Sequence, residues 1–374
     1  MMVDLSKYEE IIIWGVCFSP AELSRGATSH GHAAEKLFNL LNNNGYASKI
    51  CMWVDSNEKL HGMCRFGKKI CSPQEILKHA NAAIIINSIS MQAILSVIDS
   101  MKIDNDIFII PYYFYHGTLD NPYENKRAYE VVKSHEEKIE KLFEIGDYET
   151  RRYLDIILTM QKKGMDDLYT REFYSGTGYN VDYFCDKNLA PKENVIFIDV
   201  GAFEGESIEP VRKFYGSKLK QCIAFEPDEN SFKSLTSYVQ KNELEEIVKA
   251  FPYALGAEEK KITFMEAGGT SQQSEQGNVE ITQKNFDNFI EKNPLGGGIC
   301  MVKMDIEGAE EEALLGMKNF IASRHPYLAI CLYHKECDIY RLPKLIKELY
   351  PGYKLYIRGG WHLECWAVPN EVMQ

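Results

Sequence analysis

The sequence predicts an α/β protein built on two parallel sheets, the second of which closes with an antiparallel hairpin. Three observations carry this reading. Short β-branched runs alternate with helix-periodic segments in both halves of the chain. "VIFIDVGAFEGES" (residues 195–207) runs a strand into a glycine turn, and the chain ends in two alternating runs around Gly359 and Gly360. A length of 374 residues suits two or three units of ordinary domain size, and 45% hydrophobic with 26% charged residues gives no compositional case for long disorder.

In the first half, "EIIIWGV" (10–16) reads as a buried strand. "GHAAEKLFNLLNNNGY" comes next as a helix stopped at Gly45, and "ASKICMWVDSN" is a strand ending in Asp55. "SPQEILKHA" opens a helix with a serine cap and Pro73 in its first turn. It leads to strand "AAIIINS", a helix near residues 90–101 and strand "DIFIIP". Residues 123–170 are rich in helix formers and charge pairs with no strand signal, so they read as a helical connector; its aromatic exit, "LYTREFYSGTGYNVDYF", should pack on the domain after it. The boundaries are therefore 1–122 for the first α/β domain, 123–192 for the connector and 193–374 for the second.

From residue 194 the alternation resumes. Strand "VIFIDV" precedes a helix to about residue 215, strand "QCIAFEP" and a helix capped by Asp228. Strands "IVKAFPYAL" and "KKITFME" come next, then a loop "AGGTSQQSEQGNVE" and helix "NFDNFIEK". Strand "GICMVKMDI", helix "GAEEEALLGMKNFI", strand "YLAICLYH" and the terminal hairpin complete the order.

Composition narrows the function. A formal charge of −12 opposes a phosphate backbone and argues against a nucleic-acid partner. The start, "MMVDLSKYEEIIIWGV", has acids where a secretory signal has bases, and no window is apolar enough to span a bilayer, so a cytoplasmic protein is expected. The cysteines are scattered, with no CxxC pair and no metal-type spacing to histidine; they read as reduced thiols, and no metal is expected.

Four places can carry chemistry. Gly201 and Gly205 come after the strand ending at Asp199 and let a backbone turn approach a ligand, whereas a dinucleotide turn would have a glycine where Phe203 stands; a cofactor without pyrophosphate is favoured. Glu226 ends the next strand, where an acid can accept from both hydroxyls of a ribose, and Pro227 fixes the turn after it. Asp305 ends a buried strand at the rim where such sheets bind ligands, followed by Glu307, Gly308 and Glu310. Glu311 and Glu312 read as a solvated first turn. His334 ends the following strand on the same rim and titrates near neutrality.

Together "FIDVGAFEGES", "AFEP", "MVKMDIEGAEEEALLGM" and "YLAICLYHKECDIYRLPKLIKELYPGYKLYIRG" resemble the FkbM family of S-adenosylmethionine-dependent methyltransferases, over roughly the last half of the chain. The resemblance implies a Rossmann-like class I methyltransferase domain, seven-stranded with a C-terminal antiparallel hairpin. It also implies methyl transfer, usually to a hydroxyl of a sugar or natural product. By motif, Asp199, Gly201, Ala202 and Gly205 would wrap the amino-acid part of S-adenosylmethionine. Glu226, with Pro227 beside it, would hold the ribose, and Asp305 and Glu307 would lie near the reacting centre. His334 is the expected base, with Asp305 the other catalytic residue. A divalent metal on Asp305 is the lesser route, for want of further ligands. The family's "TLDD"-type segment is degraded to "NFDNF", which makes Asp287 an exposed helix position.

The first half resembles the small Rossmann-like domains found ahead of some sugar-modifying enzymes, with Asp55 as its ribose-type acid; a relict scaffold and a docking domain for a sugar or nucleotide sugar are both open. Two competing functions stand beside methyl transfer: an NAD-linked sugar oxidoreductase, and a non-catalytic glycan-binding module.

Overall fold

The computed structural model describes residues 4–16, 31–88, 91–109, 122–163, 169–170, 186, 188–265, 272–273, 279–335, 337–359 and 363–372. The chain forms two compact units. One contains Met1–Tyr129 and Ile156–Tyr179, the other Glu130–Asp155 and Asn180–Gln374.

In the first unit the strands are β1 (Ile11–Trp14), β2 (Ile50–Val54), β3 (Cys64–Arg65), β4 (Lys68–Cys71), β5 (Ala83–Ile86), β6 (Ile107–Ile109) and β7 (Tyr169–Thr170), ordered β3-β4-β2-β1-β5-β6-β7. β4, β2, β1, β5 and β6 are parallel, and β3 and β7 are antiparallel edges. Ile11 and Ile13 share one face, as the two-residue period requires, and pack with Trp53, Ile85 and Phe108 against Leu37 and Leu41 of helix α1 (Gly31–Asn43). Helix α2 (Met91–Met101) joins β5 to β6. Two expectations change here. The segment after Ser72 is a 3-10 helix, Pro73–Lys78, with the proline in its first turn. The stretch read as lacking strands contributes β7, too short at two residues to show a pattern. Residues 171–185, most of the aromatic exit, lie outside the described residues.

The helical stretch is two helices, α3 (Pro122–Leu142) and α4 (Tyr148–Lys163). Its part within the second unit, Glu130–Asp155, is tied to the terminal hairpin through Arg358. That guanidinium donates to Asp147 at 2.8 and 3.1 Å, to Asp186 at 2.8 Å and to Thr150 at 3.1 Å, with its side chain only 4% exposed.

The second unit holds β8 (Val195–Val200), β9 (Leu219–Phe225), β10 (Val248–Phe251), β11 (Ala254–Leu255), β12 (Lys260–Met265), β13 (Gln272–Gln273), β14 (Val279–Lys284), β15 (Ile299–Met304), β16 (Tyr327–Cys331), β17 (Tyr353–Gly359) and β18 (Leu363–Pro369). Its main sheet is seven-stranded, β10-β9-β8-β15-β16-β18-β17, parallel up to β16 and finished by the antiparallel β17–β18 hairpin. Helices α5 (Ile208–Tyr215), α6 (Glu229–Lys241), α7 (Phe286–Lys292), α8 (Glu310–Gly316), α9 (Lys318–Arg324) and α10 (Asp338–Leu349) connect the strands. This is the expected class of fold. Three local readings are corrected. Pro252 divides "IVKAFPYAL" into β10 and β11, which enter different sheets, because proline cannot continue a ladder. Part of the expected loop is strand: β13 and β14 join β11 and β12 in a four-stranded side sheet. The single helix expected after Gly308 is two, broken at Met317.

Candidate functional site

The carboxyl ends of β8, β9, β15 and β16 lie side by side, and the strand order reverses between β8 and β15, the place where such sheets bind ligands. The turn after β8 is held from beneath. Lys303 of β15 lies in register with Asp199 of β8, its ammonium 3.1 Å from the carboxylate and donating to the Gly201 carbonyl at 2.6 Å. Ser207 donates to the other carboxylate oxygen. Asp199 is wholly buried and Lys303 nearly so, so this acid supports the turn from below.

Above it the chain must turn tightly. Gly201 has φ +82°, and a β-carbon there would lie 1.9 Å from the Asp305 carbonyl oxygen, so no other residue fits. Ala202 donates its N–H to Phe225 at 3.0 Å, and Gly205 closes the turn onto Ala202 at 2.8 Å. Phe203, standing where a dinucleotide turn has glycine, nevertheless adopts φ +47°, at a cost of about 1 kcal/mol. That conformation sends its N–H to Glu226 at 2.8 Å.

Glu226 also accepts the N–H of Asp228, at 2.9 Å across Pro227, and Asp228 in turn caps α6 through the Ser231 N–H at 2.8 Å. The two amides take one lone pair on each carboxylate oxygen and leave acceptor capacity for a pair of hydroxyls. Burial pushes the Glu226 carboxyl up to about 7.

The other half of the rim is a carboxylate cluster around one imidazole. Asp305 accepts from the Tyr333 hydroxyl at 2.9 Å, and His334 Nε2 lies 3.2 Å from the same oxygen and 3.7 Å from Glu307. Its Nδ1 meets Glu310 at 2.8 Å. Burial by itself would lower the His334 pKa, but the carboxylates of Asp305 and Glu310 outweigh it and raise it to about 10. These carboxylates favour the protonated ring at neutral pH. Glu310, 1% exposed, also accepts from the N–H groups of Ile306 and Gly308, which fixes the loop after β15. Within that loop Glu307 has φ +54°, and burial raises its carboxyl.

The structure therefore brings Asp199, Gly201, Ala202, Gly205, Glu226, Pro227, Asp305, Glu307 and His334 to one rim. Three contributors escaped the sequence reading: Lys303, Tyr333 and the buried role of Glu310. Lys303 had a signal, since a lysine inside "CMVKM" is tolerable only opposite an acid, and Asp199 is that acid. Asp287 is corrected: it is 9% exposed and accepts from the N–H groups of Asn319 at 2.9 Å and Phe320 at 2.8 Å, capping α9 from α7. In the first unit, Glu10, Cys51 and His79 bring ligand-type atoms within 4.8 Å of one another. Glu10 precedes β1, Cys51 lies within β2 and His79 follows the 3-10 helix, so spacing could not reveal them, and His79 Nδ1 is already in hydrogen-bond contact with Glu10 at 2.7 Å. The described cysteines are all free. No helix among the described residues is long and apolar enough to cross a membrane.

The strand order, the terminal hairpin and the glycine turn facing an acid on the next strand define a methyltransferase-type α/β domain. Residues 199–346 match the family model described as Methyltransferase FkbM domain. The crystal structure of a methyltransferase FkbM from Methylobacillus flagellatus KT is similar in fold over 96% of this chain and 90% of that chain, with a TM-score of 0.57 and 15% identity. A SAM-dependent methyltransferase from Aquifex aeolicus, 16% identical over 48% of this chain and 85% of that chain, superposes only to a TM-score of 0.29. Among curated proteins, none matches the chain.

Proposed function

We propose that this protein is an S-adenosylmethionine-dependent O-methyltransferase acting on a hydroxyl of a sugar or glycan, a nucleotide sugar included. The observation that carries the reading is the Glu226 cradle: a buried carboxylate, fixed by two backbone amides beside a glycine turn, with acceptor capacity left for a ribose diol. Gly201, Ala202 and Gly205 would line the amino-acid part of the cofactor, with Asp199 and Lys303 holding the turn. The excess of carboxylates at Asp305, Glu307 and Glu310 suits a cationic ligand. S-adenosylmethionine, when bound, supplies an electrophilic methyl group on a sulfonium.

The chain's own task is to hold an acceptor oxygen in line and take its proton. Asp305, Glu307 and Tyr333 offer hydrogen-bonding groups, which suits a polyhydroxylated acceptor. The base role expected of His334 needs a neutral imidazole, whereas the carboxylates of Asp305 and Glu310 favour the protonated ring. We therefore assign His334 to positioning: its cation fixes Asp305 and Glu310, and Asp305 receives the hydroxyl proton. The experiment is transfer of labelled methyl from S-adenosylmethionine to a panel of oligosaccharides and nucleotide sugars. The expected result is a labelled saccharide, with Asp305→Asn slowing turnover at least about a hundredfold while S-adenosylhomocysteine still binds. Label on protein or lipid only would contradict the acceptor class, and unchanged turnover in Asp305→Asn would remove the base.

A further inference from the structure

The first unit repeats the hydrogen bonding around Glu226. At the end of β9, Glu226 donates its N–H to Phe251 on the neighbouring β10, accepts from Phe203 in the turn after β8, and accepts from Asp228 two residues on. At the end of β2, Asp55 donates its N–H to Cys71 at the end of β4 at 3.2 Å. It accepts from Val16 in the turn after β1 at 3.2 Å, and from Asn57 two residues on at 2.8 Å. The strands correspond by position, since both sheets reverse order between their first strand and the partner on its other side. The donor in the turn falls one residue earlier, in keeping with a side chain one methylene shorter.

The glycines correspond as well. Gly15 has φ +106°, and a β-carbon there would lie 2.1 Å from the carbonyl of Asn87 at the end of β5, as Gly201 abuts Asp305 at the end of β15. Asn87, fully buried, donates from its side chain to the Gly15 carbonyl at 2.9 Å, the service Lys303 performs for Gly201. Asp55 itself is half-buried, with acceptor capacity beyond the two amides.

We infer that the first unit carries a second ligand site, in which Asp55, beside the Gly15–Val16 turn, takes the 2′,3′-diol of a ribonucleotide. The inference rests on the reading of Glu226 as a ribose acid and extends it to a second ligand in the same chain.

The test is calorimetric titration of the full chain with the four common ribonucleoside 5′-diphosphates and their 2′-deoxy counterparts, on wild type, Asp55→Asn and Glu226→Gln. At least one ribonucleotide should saturate the wild type. Its 2′-deoxy form, and the Asp55→Asn variant, should bind at least about tenfold more weakly, and Glu226→Gln should leave this affinity unchanged. Retained S-adenosylhomocysteine binding in Asp55→Asn shows that the variant is folded. Absence of ribonucleotide binding, indifference to the 2′-hydroxyl and to Asp55, or loss only in Glu226→Gln would overturn the inference. Ribonucleotide binding that depends on Asp55 in a chain that ignores S-adenosylhomocysteine would uphold it and count against the methyltransferase cofactor alone.

Discussion

The backbone N–H of Phe203 donates to Glu226 at 2.8 Å, so the turn after β8 and the end of β9 form one hydrogen-bonded cradle. Because burial pushes that carboxyl up to about 7, its protonated form competes with the carboxylate as pH falls toward and below neutrality. Only the ionised form keeps both amides and accepts from two hydroxyls. Cofactor affinity should therefore fall as pH drops below about 7, approaching tenfold per pH unit. Titration of S-adenosylhomocysteine across that range checks this, and Glu226→Gln should bind more weakly and lose the slope. A flat wild-type profile would remove the ribose assignment.

His334 gives a pH dependence of stability. Its pKa is raised from 6.5 to about 10, so its contribution is complete below pH 6.5 and is lost as pH rises through about 10. Chemical denaturation of wild type and His334→Asn should differ most near pH 6 and converge toward pH 10. The imidazole should also titrate by NMR well above pH 8. A stability difference independent of pH would contradict the imidazolium.

Lys303→Met should be strongly destabilising, by about 3–5 kcal/mol, because it strands the buried Asp199 carboxylate. Adding Asp199→Asn should recover part of the loss, since a neutral amide is cheaper to bury. Urea denaturation of both variants measures this; a single variant within about 1 kcal/mol of wild type would show the pair to be unimportant.

Arg358→Met should cost about 2–3 kcal/mol, less than a fully buried pair because Asp147 and Asp186 are partly exposed. Arg358→Lys should restore little, as an ammonium cannot make the forked contact with Asp147 while reaching Asp186. Thermal denaturation distinguishes the two outcomes.

Much of the rim was legible because parallel strands bring their carboxyl ends together: Asp199 is the penultimate residue of β8, Glu226 and Asp305 directly follow β9 and β15, and His334 lies just beyond β16, all strands that the apolar runs reveal. Pairing between strands was not legible. Lys303 acquires its role only through its register with Asp199 on the neighbouring strand. Asp287 looked exposed because a helix seen alone does not show that its acid caps another helix. The charge on His334 depends on Glu310, twenty-four residues away, and so on a contact between a helix start and a strand end. β14 went unseen because its pattern is carried by few apolar residues and its order comes from pairing with β12.

Calorimetric titration of the full chain with S-adenosylhomocysteine, set against NAD, tests the central claim most directly. Saturable binding of S-adenosylhomocysteine with none of NAD is the predicted result. Binding of NAD instead, or of neither, would contradict the assignment of the Glu226 cradle to S-adenosylmethionine.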